Sequence, residues 1–221
     1  MNLGDITTKL ATLFGKDSTD FIVAGQDLLV QSLESARKEA ERRRKFQLNR
    51  KLMSVTIDLR GGGYWTELAE VGYPTSVFKV RNVKKAYYQN TDGSQGREIP
   101  FSLMKPDIRD CRPCLYLIGN RLMYSPQPTN QVSLTFQIDA FVWMKPYTDP
   151  DVDGSYTDWM IENGFDYLYH AAAFDLNWRY KEFVPRQEGN LMLSTDLIES
   201  KFRSLLASDS ETVSGLDSVL E

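Results

Sequence analysis

Histidine and cysteine are scarce in this sequence, which has one histidine and two cysteines in 221 residues. Metal sites and proton-transfer catalysis draw mainly on these residue types. The sequence therefore has few ways to build a conventional catalytic or metal centre. We expect a protein that is not an enzyme and that needs no cofactor.

Long apolar runs are also missing. No window approaches the roughly 18 to 20 uninterrupted apolar residues that a membrane span needs. Residues 1–20 lack a basic stretch followed by an apolar one, which is the pattern of a secretory signal. We therefore expect a soluble protein of a reducing compartment, without membrane contact or disulfide bonds. The net charge of -4 also disfavours a generic nucleic-acid binder.

Helical periodicity predicts two helices in the N-terminal segment. The first is short and ends at Gly15. The second is predicted from Asp20 to Leu48, with Ser18 or Thr19 as its N-cap. Its apolar stripe thins at Arg37, and a basic run follows. The second half of this helix should project into solvent or lie against a neighbouring molecule.

A period of two predicts an antiparallel β region between Leu52 and Val142. The triplet from Gly61 to Gly63 lacks the Lys-Ser/Thr of a phosphate-binding loop and is interpreted as a turn. Gly119-Asn120 should close a tight hairpin. A long strand follows at residues 132–142, with one covered face and one wet face that includes Asp139.

Helical spacing returns near the C-terminus. One helix is predicted to about Phe183, with Ser155 or Thr157 as its cap, and a last helix with Ser194 or Thr195 as its cap. The predicted fold class is therefore α+β: an α-helical bundle from the N- and C-terminal helices with an inserted antiparallel β module. The corresponding ranges are 1–51 and 148–206 for the bundle, 52–147 for the β module and 207–221 for a C-terminal tail.

Three patterns that suggest metal or redox chemistry are interpreted as structural. Cys111 and Cys114 form a CxxC, but Cys114 runs into a strand instead of the helix N-terminus that a redox motif uses. A zinc site would need two further ligands, and only His170 remains. The acidic stretch 149–158 lacks the glycine and glutamate spacing of a calcium loop. We interpret it as a solvated linker and helix N-terminus.

Charges of opposite sign are concentrated in separate segments. The basic run 37–51 has three interpretations: contact with phosphates, a solvated helix face, or contact with the acidic segment of another subunit. Head-to-tail association in a ring would join such surfaces. The candidate interface residues are Arg37, Arg42, Arg43, Arg44, Lys45, Asp151, Asp153 and Asp158. A nucleic-acid-binding module that uses the helix Arg37 to Lys51 is the alternative.

The polar C-terminal tail contains apolar residues at helical spacing. They are Val213, Leu216, Val219 and Leu220. The segment is too short to build a core of its own. It is either a docking peptide for a partner or a frayed terminus.

Most of the chain resembles one protein family. The hairpin and Pro-x-Pro turn of residues 115–128 (LYLIGNRLMYSPQP), the long strand after it, the helical segment 165–173 (FDYLYHAAA) and a last helix around Phe202 follow one another in that order. This order resembles the adaptor, or head-to-tail connector, proteins of short-tailed bacteriophages. The dense basic run and the pair Cys111 and Cys114 depart from the family pattern.

The resemblance implies a virion structural protein at the head–tail interface, assembled in the host cytoplasm. It implies a homo-oligomeric ring of twelve copies under the portal protein, which binds the tail or nozzle protein on its other side. Double-stranded DNA would pass through the ring without sequence recognition, and the ring would help to retain the genome. The C-terminal extension would reach the portal, so residues 213–220 are the expected docking segment.

Overall fold

The computed structural model describes residues 1–58, 65–67, 80–102, 113–118, 121–125, 133–180 and 194–217, with the backbone alone for 65–67 and 211–217. The chain divides into two compact units. The helical unit contains Met1–Leu48 and Pro146–Glu221, and the β unit contains Asn49–Lys145. The predicted turn at residues 61–63, the hairpin tip 119–120 and the turn 126–128 lie outside the described residues.

The helical unit is built around one central helix. Its helices are α1 (Leu3–Leu13), α2 (Leu28–Arg43), α3 (Trp159–Asn163), α4 (Phe165–Arg179) and α5 (Thr195–Asp217). Helix α4 contacts each of the other four. Its buried residues include Tyr167, Leu168, Ala172 and Leu176. Burial of an apolar stripe on several neighbours is what holds helices of this length together.

The prediction of one helix from Asp20 to Leu48 is wrong at both ends. Residues Ser18–Phe21 form a 3₁₀ turn, and a small hairpin of β1 (Ile22–Val23) and β2 (Gln26–Asp27) follows. Ala24 and Gly25 make its turn with φ of 51° and 77°, a backbone conformation that a helix cannot contain. Helix α2 then starts because the Asp27 carboxylate accepts the N–H groups of Leu29 and Val30.

The predicted helix that continues to Phe183 is divided at Gly164. A Cβ at this position would lie 2.7 Å from Leu205 Cδ1 and 2.8 Å from the Met160 carbonyl oxygen, so only glycine fits between α3 and α5. Asp158, not Ser155 or Thr157, caps α3 by accepting the Ile161 N–H.

The last helix begins where the sequence predicts it to begin. The Ser194 hydroxyl accepts the Leu197 N–H. The helix then continues to Asp217. Most of the predicted tail, residues 207–221, is thus helical backbone.

The β unit consists of two four-stranded sheets. The first has the order β3-β10-β5-β6, and the second has the order β4-β9-β8-β7. The strands are β3 (Arg50–Asp58), β4 (Trp65–Glu67), β5 (Val80–Gln89), β6 (Gln95–Ile99), β7 (Phe101–Ser102), β8 (Cys114–Ile118), β9 (Arg121–Ser125) and β10 (Ser133–Val142). Each described strand pair is antiparallel except β7 with β8.

Both sheets contribute to one apolar core. Phe136 and Ile138 from the first sheet and Leu115 and Leu122 from the second are fully buried in it. The hairpin prediction is confirmed in its strands, since Ile118 pairs with Arg121 on the other side of the two-residue connection. Asp139 is not on a wet face as predicted. It is 6% exposed because the Arg50 side chain binds both of its carboxylate oxygens.

These elements confirm a mixed α and β fold with antiparallel sheets. Within the described residues, no helix has the length and apolar character that crossing a membrane requires.

Candidate subunit interface

The basic residues that follow Ala40 lie where α2 ends. Arg42, Arg43, Arg44 and Lys45 are all exposed. We call residues 42–45 the basic segment. Among the residues that the structure describes, Arg42 and Lys45 have no ion pair. Their charged groups are therefore available to another molecule.

The Arg43 side chain makes contacts within the helical unit. Its guanidinium donates to Glu199 Oε2 at 2.6 Å and lies 4.0 Å from the centroid of the Phe202 ring. Phe46, the first residue after the basic segment, is buried and its ring contacts those of Trp159 and Phe202. These contacts fix the C-terminal end of α2 on α5.

Arg37 is not part of an exposed interface, which corrects the sequence prediction. It is 2% exposed, and its guanidinium donates to Glu34 Oε1 and to Glu41 Oε2, both at 2.6 Å. The Tyr147 ring lies 5.4 Å from the guanidinium carbon. The basic helix proposed as a nucleic-acid module is also interrupted, since α2 ends at Arg43 and Lys51 lies in β3.

The acidic residues predicted for the interface lie in the loop 146–158, which we call the acidic loop. Asp151 and Asp153 are exposed. The Ser155 hydroxyl and N–H donate to Asp153 and lower the pKa of its carboxyl group, so it is fully ionised at neutral pH. Asp158 is different, because it is half-buried as the cap of α3. Burial raises its pKa, although the Ile161 N–H and the Tyr147 hydroxyl oppose this effect.

The acidic loop is held at both of its ends. At its start, the Tyr147 N–H donates to Glu34 Oε2 at 3.0 Å, and the buried Tyr147 ring covers Arg37. Farther along, the carbonyl oxygens of Gly154 and Tyr156 accept the N–H groups of Gly4 and Leu3. These N–H groups belong to the first turn of α1 and have no partner within that helix. Arg37 and Glu34 thus position the loop and do not contact a partner.

A groove of about 540 Å³ lies beside the acidic loop. The start of α1, the hairpin tip at Gly25 and Gln26, and the first turn of α2 form its other sides. The carboxylate-bearing residues in its lining are Asp27, Asp149 and Asp153. We call it the acidic groove.

The sequence pattern does not predict this groove. The predicted helix from Asp20 to Leu48 includes the hairpin residues 22–27, and a helix at these residues would remove one wall of the groove. The signals for the hairpin were the Ala24-Gly25 pair and Asp27 as a cap in front of Leu28-Leu29. Residues Glu34 and Glu41, three before and four after Arg37, likewise indicated an internal ion pair.

The predicted docking segment is described only in part. Val213 and Leu216 lie on the helical backbone of α5. Val219 and Leu220 lie outside the described residues.

The remaining chemical candidates take ordinary structural positions. Cys114 is a buried cysteine in β8, and Cys111 lies outside the described residues. His170 lies on α4, where burial and the nearby Lys201 lower its pKa and Asp166 opposes them. No group of three His, Cys, Asp or Glu residues suited to a metal ion is found in the described part of the chain. Neither a protein-family model nor a curated protein matches the sequence.

Proposed function

We propose that this chain is one subunit of an adaptor ring of twelve copies, which joins the portal protein to the tail or nozzle protein of a short-tailed bacteriophage. The role is structural and not catalytic, and its place is the head–tail interface of the virion. The proposal includes the finer fold that the resemblance implies, in which the terminal helices form one bundle and the β module is inserted into it.

One observation carries the proposal: the helical unit exposes a basic segment and a hydrogen-bonded acidic loop as separate surfaces. Arg42 and Lys45 are exposed at the C-terminal end of α2, and Asp151 and Asp153 are exposed on the loop. Identical subunits that present complementary surfaces of this kind associate head to tail, and such contacts close into rings when the rotation allows it.

The long last helix supports a second contact. Helix α5 has 23 residues and reaches Asp217, so it carries Val213 and Leu216 toward the C-terminus. We propose that these residues, with Val219 and Leu220, dock on the portal protein as an amphipathic segment. Substituting all four with serine should abolish portal binding and leave self-association unchanged.

Native mass measurement tests the proposal most simply. The wild-type protein is measured alone and after mixing with its portal ring. The expected result is a multi-subunit ring, free or bound to the portal. A protein that stays monomeric and never binds the portal would contradict the proposal.

Nucleic-acid binding is the second candidate function, favoured by the exposure of Arg42, Arg44 and Lys45. Each phosphate contact adds affinity that falls as salt concentration rises. Reversing the charge of these residues separates the two functions. Loss of salt-dependent DNA affinity with assembly intact would favour the second candidate, and loss of assembly without a change in DNA affinity would favour the adaptor.

A further inference from the structure

We propose that the acidic groove receives the basic segment of a second copy of this chain, with Arg42 and Lys45 as the contacting cations. This inference rests on the proposed ring and names the surfaces that hold neighbouring subunits together. Four features of the helical unit support it: the chemistry of the groove, the chemistry of the basic segment, their separation along α2 and the hydrogen bonds that hold the acidic loop.

The groove combines carboxylates with apolar side chains. Asp149 and Asp153 line it together with the apolar residues Leu3, Val30 and Val152. Val30 and Val152 are partly exposed. A concave surface that combines charged and apolar side chains is typical of a protein interface.

The basic segment has the complementary chemistry. Arginine and lysine side chains carry a charged group on an aliphatic stem, so they can bury the stem on apolar surface and pair the charge with a carboxylate. Arg42 and Lys45 have no ion pair among the described residues. They can therefore pair with a second copy without breaking an internal bond.

The geometry prevents a chain from filling its own groove. Val30 lines the groove in the first turn of α2, and Arg42 lies twelve residues later on the same helix. That spacing corresponds to about 18 Å of helix axis, which exceeds the length of an arginine side chain. The two surfaces thus meet only between different copies. Because they are different surfaces, the contact is heterologous and repeats from subunit to subunit.

The acidic loop is hydrogen-bonded to α1 and α2 within one chain. The hydrogen bonds from Tyr147 to Glu34 and from Leu3 and Gly4 to the loop carbonyls fix its course. A Cβ on Gly4 would lie only 3.0 Å from the Gly154 carbonyl oxygen, which shows how closely the loop sits on α1. A preordered loop loses little conformational entropy on association, which favours its use as a binding surface.

Charge reversal on each side, followed by mixing, tests the inference. Variant one is R42E/K45E and variant two is D149K/D153K. Each variant alone would place like charges at the contact, so its Kd for self-association should rise at least tenfold. In an equimolar mixture, the reversed segment of variant one fits the reversed groove of variant two, and the two unchanged surfaces also match. The mixture should therefore recover assembly with alternating subunits, measured by native mass and sedimentation equilibrium.

Two further variants control for folding and total charge. K84E/R97E changes the net charge as much as R42E/K45E does, but on exposed residues of the β unit, and should assemble like the wild type. D149N/D153N removes the charges of the two loop carboxylates and keeps side-chain oxygens that accept the loop hydrogen bonds. The Asp27 carboxylate of the groove remains in this variant. The variant should fold normally and lose part of the affinity.

The outcomes separate this inference from the proposed function. If the wild type forms rings and neither reversal weakens them, or if the folded variants fail to complement each other, the groove inference is wrong and the ring proposal stands. If the wild type assembles only on the portal ring, the same variants are compared on that complex. A wild type that stays monomeric alone and with the portal contradicts both.

Discussion

Arg37 and Arg42 lie five residues apart on α2 and have opposite surroundings. Arg37 is buried between Glu34 and Glu41, whereas Arg42 is exposed. Five residues rotate a helix by about 140°, which places Arg42 almost opposite the buried stripe that contains Leu33. The number of cations in a basic run therefore says little about what each one does. Their angle from the apolar stripe separates an internal cation from a surface cation.

Removing the internal cation should have the largest effect. Arg37→Met removes the buried cation that pairs with the buried carboxylates of Glu34 and Glu41, so we expect the free energy of unfolding to fall by about 3–5 kcal/mol. Arg42→Met is the matched control and should change it by less than about 0.5 kcal/mol. Urea unfolding at pH 7 measures both. Equal effects of the two substitutions on the free energy of unfolding would contradict the distinction between an internal Arg37 and a surface Arg42.

The same contrast should appear in the dependence of stability on pH. Burial alone raises the pKa of Glu34, but hydrogen bonds from Arg37 and the Tyr147 N–H, together with the Arg37 charge, outweigh burial and hold the pKa below its usual 4.5. Glu34 thus contributes stability that is fully present above the unfolded-state pKa and is lost as pH falls through the lower folded-state pKa.

Glu34→Gln should lower the free energy of unfolding at pH 7 by about 1–3 kcal/mol and flatten its decline below about pH 4.5. Glu39→Gln, at an exposed position of α2, is the control and should retain the wild-type slope. Urea unfolding across pH 3–7 provides the measurement. An E34Q curve parallel to that of the wild type would show that Glu34 does not carry the predicted pKa shift.

A second internal carboxylate holds the chain where it leaves the helical unit. Asp209 on α5 is 3% exposed and accepts the N–H groups of Gln47 and Leu48, both at 3.1 Å. Asp209→Ala would leave these two N–H donors without their acceptor. Thermal and urea unfolding should therefore report a free energy of unfolding that is lower by about 1–2 kcal/mol. Asp196→Ala, at an exposed site on α5, should cost less than half as much. A negligible loss for D209A would mean that water replaces the carboxylate.

The smallest effect on the free energy of unfolding is expected at Asp158. Substituting it should stabilise the protein at pH 7, whereas the substitutions above destabilise it. The raised pKa of Asp158 means that its stabilising contribution is full below the unfolded-state pKa of about 3.8 and is lost as pH rises through the folded-state value. One of its carboxylate oxygens is also buried without a hydrogen bond among the described residues. Asp158→Asn should therefore raise the unfolding free energy at pH 7 by up to ~1 kcal/mol, with no gain near pH 3. A loss of stability at pH 7 would contradict this.

The sequence predicts elements more reliably than it predicts what lies between them. The alternation in residues 133–142 and the spacing around Phe202 predict a strand and a helix, because burying one face determines the period. The breaks at Gly25 and Gly164 were missed. The first depends on positive φ angles, and the second depends on Leu205, which lies far along the chain but adjacent in space.

The sequence predicts the candidate interface only in part, because local patterns show charged segments but not which segments meet in space. Charge segregation indicates the basic segment and the acidic loop, and the structure leaves Arg42, Lys45, Asp151 and Asp153 exposed. The acidic groove is formed by three separate segments, so no local pattern contains it. The basic run alone predicts Arg37 at the surface, whereas its position beside the apolar stripe and between Glu34 and Glu41 makes it an internal cation.

The mass of the R42E/K45E particle in solution is the most direct test of the account, in which Arg37 stabilises the fold and Arg42 contacts a second copy. At pH 7 and moderate salt, where the wild type is assembled, we predict that this variant sediments mainly as a monomer. Its free energy of unfolding should equal that of the wild type at a dilution at which the wild type is also monomeric. A variant that assembles as tightly as the wild type, or one that loses assembly only because it unfolds, would contradict the account.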